Sequence, residues 1–147
     1  MDVLKIKKND ERAIVPKRAT TGSACMDLFA LLDDSVMLKP GEHLLVHTGI
    51  SIELPSPEYV ALLFSRSGMG IKSGVTLSNS VGVIDSDYRG EVCVGLVNHG
   101  SAPYLLHDGD RIAQLMIIKH SSLPIEVVNE LGSTERGTGG FGSTGSN

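Results

Sequence analysis

The residues of this chain best suited to chemistry are few, polar, and set among apolar or glycine-rich neighbours. Asp85-Ser86-Asp87-Tyr88 offers two carboxylates and an aromatic ring within four positions. Asp and Gly are ordinary turn residues, so an acidic turn is by default a solvated one. Asp27 is the lone charge in Gly22-Ser23-Ala24-Cys25-Met26-Asp27-Leu28-Phe29-Ala30. A carboxylate there is costly to bury alone, so it either caps a turn or faces a cation or a partner. Ser65-Arg66-Ser67-Gly68-Met69-Gly70 sets a guanidinium among hydroxyls and glycines. Such a group can converge on phosphate oxygens, although Arg-Ser-Gly is also an ordinary loop. Gln114 interrupts an apolar run, where its amide either satisfies backbone groups or donates to a ligand oxygen.

These residues need elements to hold them, and the pattern predicts short strands. Val81 and Val83 precede the acidic segment and Val92, Val94 and Leu96 follow it, which predicts a hairpin with Asp85 and Tyr88 at its tip. Val46, Thr48, Ile50, Ile52 and Leu54 share one parity, and His47, Gly49, Ser51 and Glu53 the other, as in a half-buried strand. Residues 59–64 read as a strand buried on both faces. Residues 75–77 and 111–118 add further strands, and Lys39-Pro40-Gly41-Glu42 and His107-Asp108-Gly109-Asp110 mark turns. The opening Val3, Leu4, Ile6 run predicts a first strand, and residues 126–131 a last strand or short helix. Period-two patterning between Gly and Pro punctuation predicts an all-β sandwich, jelly roll or barrel.

Residues 132–147 collapse into glycine, serine and threonine, the composition of a flexible tail. That tail nevertheless holds Arg136 and Phe141 amid many unhindered N–H groups. It lacks the Lys of the Gly-x-x-x-x-Gly-Lys loop, so it is not that motif.

A length of 147 residues fits one domain. A net charge of −4 argues against broad binding to nucleic-acid backbones, so any polyanion handled here is small and locally held. No apolar run is long enough for a membrane span, and residues 1–10 lack the apolar block of a secretory signal, which leads to a cytoplasmic expectation. Cys25 and Cys93 stand far apart and read as reduced, packed thiols. Five histidines show no metal-ligand spacing, so a transition metal held by protein ligands is not expected. His43 and His47 read as a pair on a solvated strand face.

Together these segments resemble the trimeric dUTPases, the deoxyuridine triphosphate nucleotidohydrolases. Five family segments occur in family order at residues 22–30, 65–70, 82–92, 109–114 and 136–145. The third and fifth carry the specificity, and Cys25 departs from the Gly usual in the first. The homologous dCTP deaminases generally lack both the Asp-x-Asp-Tyr tip and the Arg-Gly-x-Gly-Gly-Phe-Gly tail. A catalytically silent nucleotide-binding module on the same fold is the remaining rival, and the intact segments speak against it.

The resemblance implies a jelly-roll-like β-barrel over residues 1–131, a homotrimer with shared active sites, and a tail over 132–147 that closes on substrate. It implies Mg²⁺-dependent hydrolysis of dUTP to dUMP and pyrophosphate, which limits uracil incorporation into DNA and supplies dUMP for dTMP synthesis. Asp85 then matches the general base for the water attacking the α-phosphorus. Tyr88 matches the ring under the deoxyribose, which excludes a 2′-hydroxyl, and Asn79 belongs to the uracil slot. Arg66, Ser67, Gly68 and Gln114 match phosphate contacts, and Asp27 the holder of metal-bound waters. In the tail, Phe141 would stack on uracil while Arg136, Gly142, Ser143 and Thr144 close on the nucleotide. Asp110 and Arg111 would support the site or an interface.

Overall fold

The structure is a computed structural model and describes residues 2–140. Ten strands and one short helix follow in order: β1 (Lys5–Lys8), β2 (Met26–Phe29), β3 (Val36–Leu38), β4 (His43–Glu53), β5 (Tyr59–Phe64), α1 (Ser67–Ser73), β6 (Val75–Leu77), β7 (Gly82–Ile84), β8 (Glu91–Asn98), β9 (Tyr104–Leu106) and β10 (Arg111–Lys119). They form two four-stranded sheets, ordered β1-β4-β8-β6 and β2-β10-β5-β7, and a two-stranded ribbon β3-β9. Every paired ladder is antiparallel. The all-β, jelly-roll-like expectation holds. No helix among the described residues is long and apolar enough to cross a membrane.

The inner faces of the two large sheets close on one core, in which Leu28, Val46, Ile50, Leu96, Ile112 and Leu115 are fully buried. On β4 the predicted parity holds as far as Thr48, with Val46 and Thr48 buried and His47 exposed; beyond it Gly49 and Ser51 are buried along with Ile50 and Ile52, because Leu31 and Ala13 close on Gly49 and β1 covers Ser51, so the expected wet face is covered there. Buried Asn98 donates to the carbonyls of Leu38 and Ala102 and accepts from Gly100 N–H, so its burial is fully compensated.

Three further expectations need correction. Residues 82–92 do not form a paired hairpin: β7 pairs with β5, β8 pairs with β4 and β6, and the acidic turn crosses from one sheet to the other. Strand β5 alternates, with Ala61 and Leu63 buried and its other side chains only partly covered, so its second face is not sealed within one chain. Residues 126–131 form no strand or helix, and Leu123, Ile125, Val127 and Leu131 are almost wholly exposed.

Candidate active site

The acidic turn is built by local bonds. Tyr88 N–H closes onto the Asp85 carbonyl at 3.2 Å, and the Arg89 guanidinium bonds the Ser86 and Tyr88 carbonyls at 2.7 and 3.0 Å. The Tyr88 hydroxyl donates to the Glu91 carbonyl at 3.0 Å, folding the ring back over Gly90. A Cβ at position 90 would lie 2.4 Å from that hydroxyl oxygen, so only glycine leaves the ring this seat.

Beside the turn lies a cleft of about 410 Å³ whose lining includes Leu63, Asn79, Gly82, Asp85, Tyr88 and Cys93. Its walls are the two strands that part at the turn. Among the described residues β7 has β5 as its only ladder neighbour, and β8 from Glu91 to Val94 has only β4. Two open strand edges therefore face the cleft with backbone donors and acceptors that no described strand uses. A planar ring with alternating donors and acceptors can pair there as a strand would.

Two carboxylates reach this cleft, and they differ. Glu91 Oε2 bonds His47 Nδ1 at 2.9 Å, and Oε1 accepts Gly49 N–H at 2.7 Å. Partial burial pushes the Glu91 carboxyl upward, but these bonds outweigh it and hold the group below the usual carboxylate range. Asp85 is exposed, and its carboxylate bonds to no described residue. It is the cleft carboxylate free to orient and deprotonate a water. Asp87, the second acid of the motif, does not line the cleft. Burial, followed by the Glu91 charge, pushes the Cys93 thiol up.

A second group forms elsewhere. Asp27 Oδ1 meets Arg66 Nε at 3.2 Å and its Oδ2 meets Arg111 Nη1 at 3.4 Å. The pairing with two guanidinium groups makes its part-burial tolerable, as the lone charge in that segment requires. Gln114, opposite Asp27 in register, donates to the Ser65 carbonyl at 2.9 Å, taking up one of its two amide protons. Asp27 and Gln114 line a recess of about 240 Å³ with Ala19, Ser23, Ala24 and Cys25. Arg66 is the N-cap of α1, and exposed Ser67 and Gly68 form its first turn. The expected loop is thus a helix start, whose first N–H groups have no intrahelical acceptor.

The register separates the two groups within one chain. Asp27 is on β2 and Asp85 follows β7, at opposite edges of the β2-β10-β5-β7 sheet. Three strand spacings put them roughly 14 Å apart across the sheet. Asp27 aligns through Gln114 with Phe64, whereas Ile84 aligns with Ala61, which adds roughly 13 Å along the strands. Of the predicted residues, Asn79, Asp85 and Tyr88 come together; Asp27, Arg66 and Gln114 come together; the two sets do not meet. Arg136 is exposed in a turn, with Gly137 N–H on the Thr134 carbonyl. Phe141, Gly142, Ser143 and Thr144 lie outside the described residues. Sequence reasoning placed Arg111 in support but missed its partner, because the Asp27–Arg111 pair exists only through the β2–β10 register.

Residues 11–145 match the dUTPase family along their length. The chain belongs to the dUTPase family. A deoxyuridine 5'-triphosphate nucleotidohydrolase from Burkholderia thailandensis is 47% identical over 142 residues, covering 97% of this chain and 96% of its own. The one from Neisseria meningitidis serogroup C is 48% identical over 145 residues, with 97% of each covered. Among solved structures, the dUTPase of Staphylococcus bacteriophage 80alpha with dUPNHPP has a TM-score of 0.88 at 28% identity, covering 98% of this chain and 99% of that one. A dUTPase from phage phi11 of S. aureus, described as coordinating a structural Mg(II) ion, has a TM-score of 0.79 at 25% identity, covering 89% and 99%.

Proposed function

We propose that this chain hydrolyses dUTP to dUMP and pyrophosphate, with Asp85 directing a water onto the α-phosphorus. The observation that carries the reading is the cleft itself: two open strand edges for a planar base, an aromatic ring, and one carboxylate free of other partners. Uracil suits the strand edges because its donors and acceptors alternate. Cytosine reverses them and would leave backbone groups unpaired. Tyr88, seated on Gly90, packs the deoxyribose and leaves no room for a 2′-hydroxyl. Asn79 completes the base slot.

The triphosphate is assigned to Arg66, Ser67, Gly68 and Gln114, with the tail residues Arg136, Phe141, Gly142, Ser143 and Thr144 closing from outside. Mg²⁺ fits this donor set in one way. Both Asp27 oxygens already bond guanidinium groups but keep spare lone pairs, so Asp27 suits metal-bound waters and cannot cage a cation alone. When bound, Mg²⁺ supplies charge neutralisation at the phosphates.

The reading requires an oligomer, and we assign a homotrimer. Asp85 and Asp27 stand too far apart in one chain to serve the same metal-bound triphosphate, so Asp27 serves a neighbour's cleft. The half-covered outer face of β5 and the exposed Leu123, Ile125 and Val127 supply apolar surface for subunit contact. The test is pyrophosphate release with Mg²⁺ from dUTP, UTP, dCTP and dTTP. Selective release from dUTP supports the reading; ammonia from dCTP, or equal use of UTP, overturns it.

A further inference from the structure

The outward face of β4 and β8 holds a group of ligating atoms that dUTP hydrolysis leaves unassigned. His47 and Cys93 are direct register partners, with Nδ1 3.6 Å from Sγ. Glu91, two residues along β8, brings Oε2 to 2.9 Å from the same nitrogen. One ligand atom from each lies within 4.8 Å of the others.

The backbone builds this cluster. The β4–β8 register breaks between His47 and Ser51, and Gly49 sits there at φ +68°. A Cβ at Gly49 would lie 2.6 Å from Leu31 Cδ2 and 2.8 Å from Ala13 Cβ. Glycine is therefore required at this bulge, which turns the Gly49 N–H onto Glu91 Oε1 at 2.7 Å and fixes the carboxylate. A ligating carboxylate anchored by an outer bond is the arrangement metal sites use to orient their ligands.

Distances and donor chemistry point to one class of ion. Around a tetrahedral Zn²⁺, ordinary bond lengths place neighbouring ligand atoms roughly 3.3–3.7 Å apart. The His47–Cys93 separation already fits, and the His47–Glu91 pair must open by less than about 1 Å. Nitrogen, thiolate and carboxylate together suit a borderline-soft divalent ion, whereas Mg²⁺ takes oxygen ligands. His47 is exposed, so the ion enters directly from solvent.

We propose that His47 Nδ1, Glu91 and Cys93 Sγ bind Zn²⁺, which displaces the Cys93 thiol proton and the proton shared between His47 Nδ1 and Glu91 Oε2 to solvent, with a fourth coordination position left open to water. Glu91 and Cys93 also line the cleft that holds Asp85 and Tyr88, so the site borders the proposed nucleotide position; its donor set differs from that of the Mg²⁺ that accompanies the nucleotide, and it does not depend on the assigned activity. Titration of the full chain with Co²⁺ alone, in a thiol-free reductant, tests it. Stoichiometric uptake with a near-ultraviolet sulfur-to-cobalt band is expected, displaced by Zn²⁺ and unaffected by excess Mg²⁺. The band should vanish in Cys93→Ser and in His47→Gln, and persist in Cys25→Ser, which removes the other thiol. No band in the parent chain, a band that survives Cys93→Ser or His47→Gln, or displacement by Mg²⁺ overturns the assignment. His47→Asn, equally polar and on the same exposed face, gives a second reading should His47→Gln fold poorly.

Discussion

At Asp85 the account turns on a free carboxylate. Glu91 spends both oxygens on His47 and Gly49, and Asp87 does not reach the cleft. Asp85→Asn keeps the shape but cannot accept a proton, so turnover should fall by about 10²–10⁴-fold, with nucleotide binding retained. Steady-state rates alongside calorimetric titration with a non-hydrolysable analogue would show this, and an Asn variant with parental turnover would remove Asp85 from its role. Tyr88→Ala should raise the relative use of UTP, read as the ratio of kcat/KM values; an unchanged ratio would mean sugar selection lies elsewhere. The sequence singled out both acids of Asp85-Ser86-Asp87 but could not rank them, because which one lines the cleft depends on how the turn folds. His47 reads in the sequence as part of a solvated strand face and Cys93 as a packed thiol, and their grouping with Glu91 is hidden for a similar reason. Their spacing matches no ligand motif, and only the β4–β8 register and its bulge bring them together.

The strands were legible where one face is buried and the other wet. On β8 from Glu91 to Leu96, and on β4 as far as Thr48, the period of two survives because each packs one side onto the core. Pairing was less legible: alternating residues either side of a turn look alike whether the strands pair or part into two sheets. The parting matters, since it opens the cleft. Residues 126–131 misled because a few apolar side chains, Val127, Val128 and Leu131, make a strand only where an edge is available to receive it. Gly90 ties sequence to site at this scale. Gly90→Ala should displace Tyr88 and weaken hydrolysis of dUTP with a small change in melting temperature, because the turn is exposed; parental activity would show that the ring needs no such seat. Gly49→Ala acts on the core side of the same strand pair. A positive φ and close contacts with Leu31 and Ala13 should cost about 1–3 kcal/mol or more, measured by denaturant unfolding.

For the whole molecule, one chain holds Asp27 and Asp85 at opposite edges of a sheet, and in the proposed reading assembly joins them. Mixing unfolded Asp27→Asn and Asp85→Asn chains and refolding them together should restore activity, since about a quarter of randomly assembled sites gain both carboxylates. Mixtures no more active than their components would mean that each chain works alone. Truncation before Arg136 should leave the β-barrel's melting temperature intact while hydrolysis falls severely, because residues 132–140 are exposed and contribute nothing to the core. A trimer is implied only by family resemblance; within the fold, the half-covered face of β5 and the exposed Leu123, Ile125 and Val127 are the apolar surface that the proposed assembly would cover. The central claim is that water attacks the α-phosphorus beside Asp85. Hydrolysis of dUTP in heavy-oxygen water, followed by mass spectrometry of both products, tests it most directly. The label should appear in dUMP and not in pyrophosphate; label in pyrophosphate would place the attack on a different phosphorus and contradict the account.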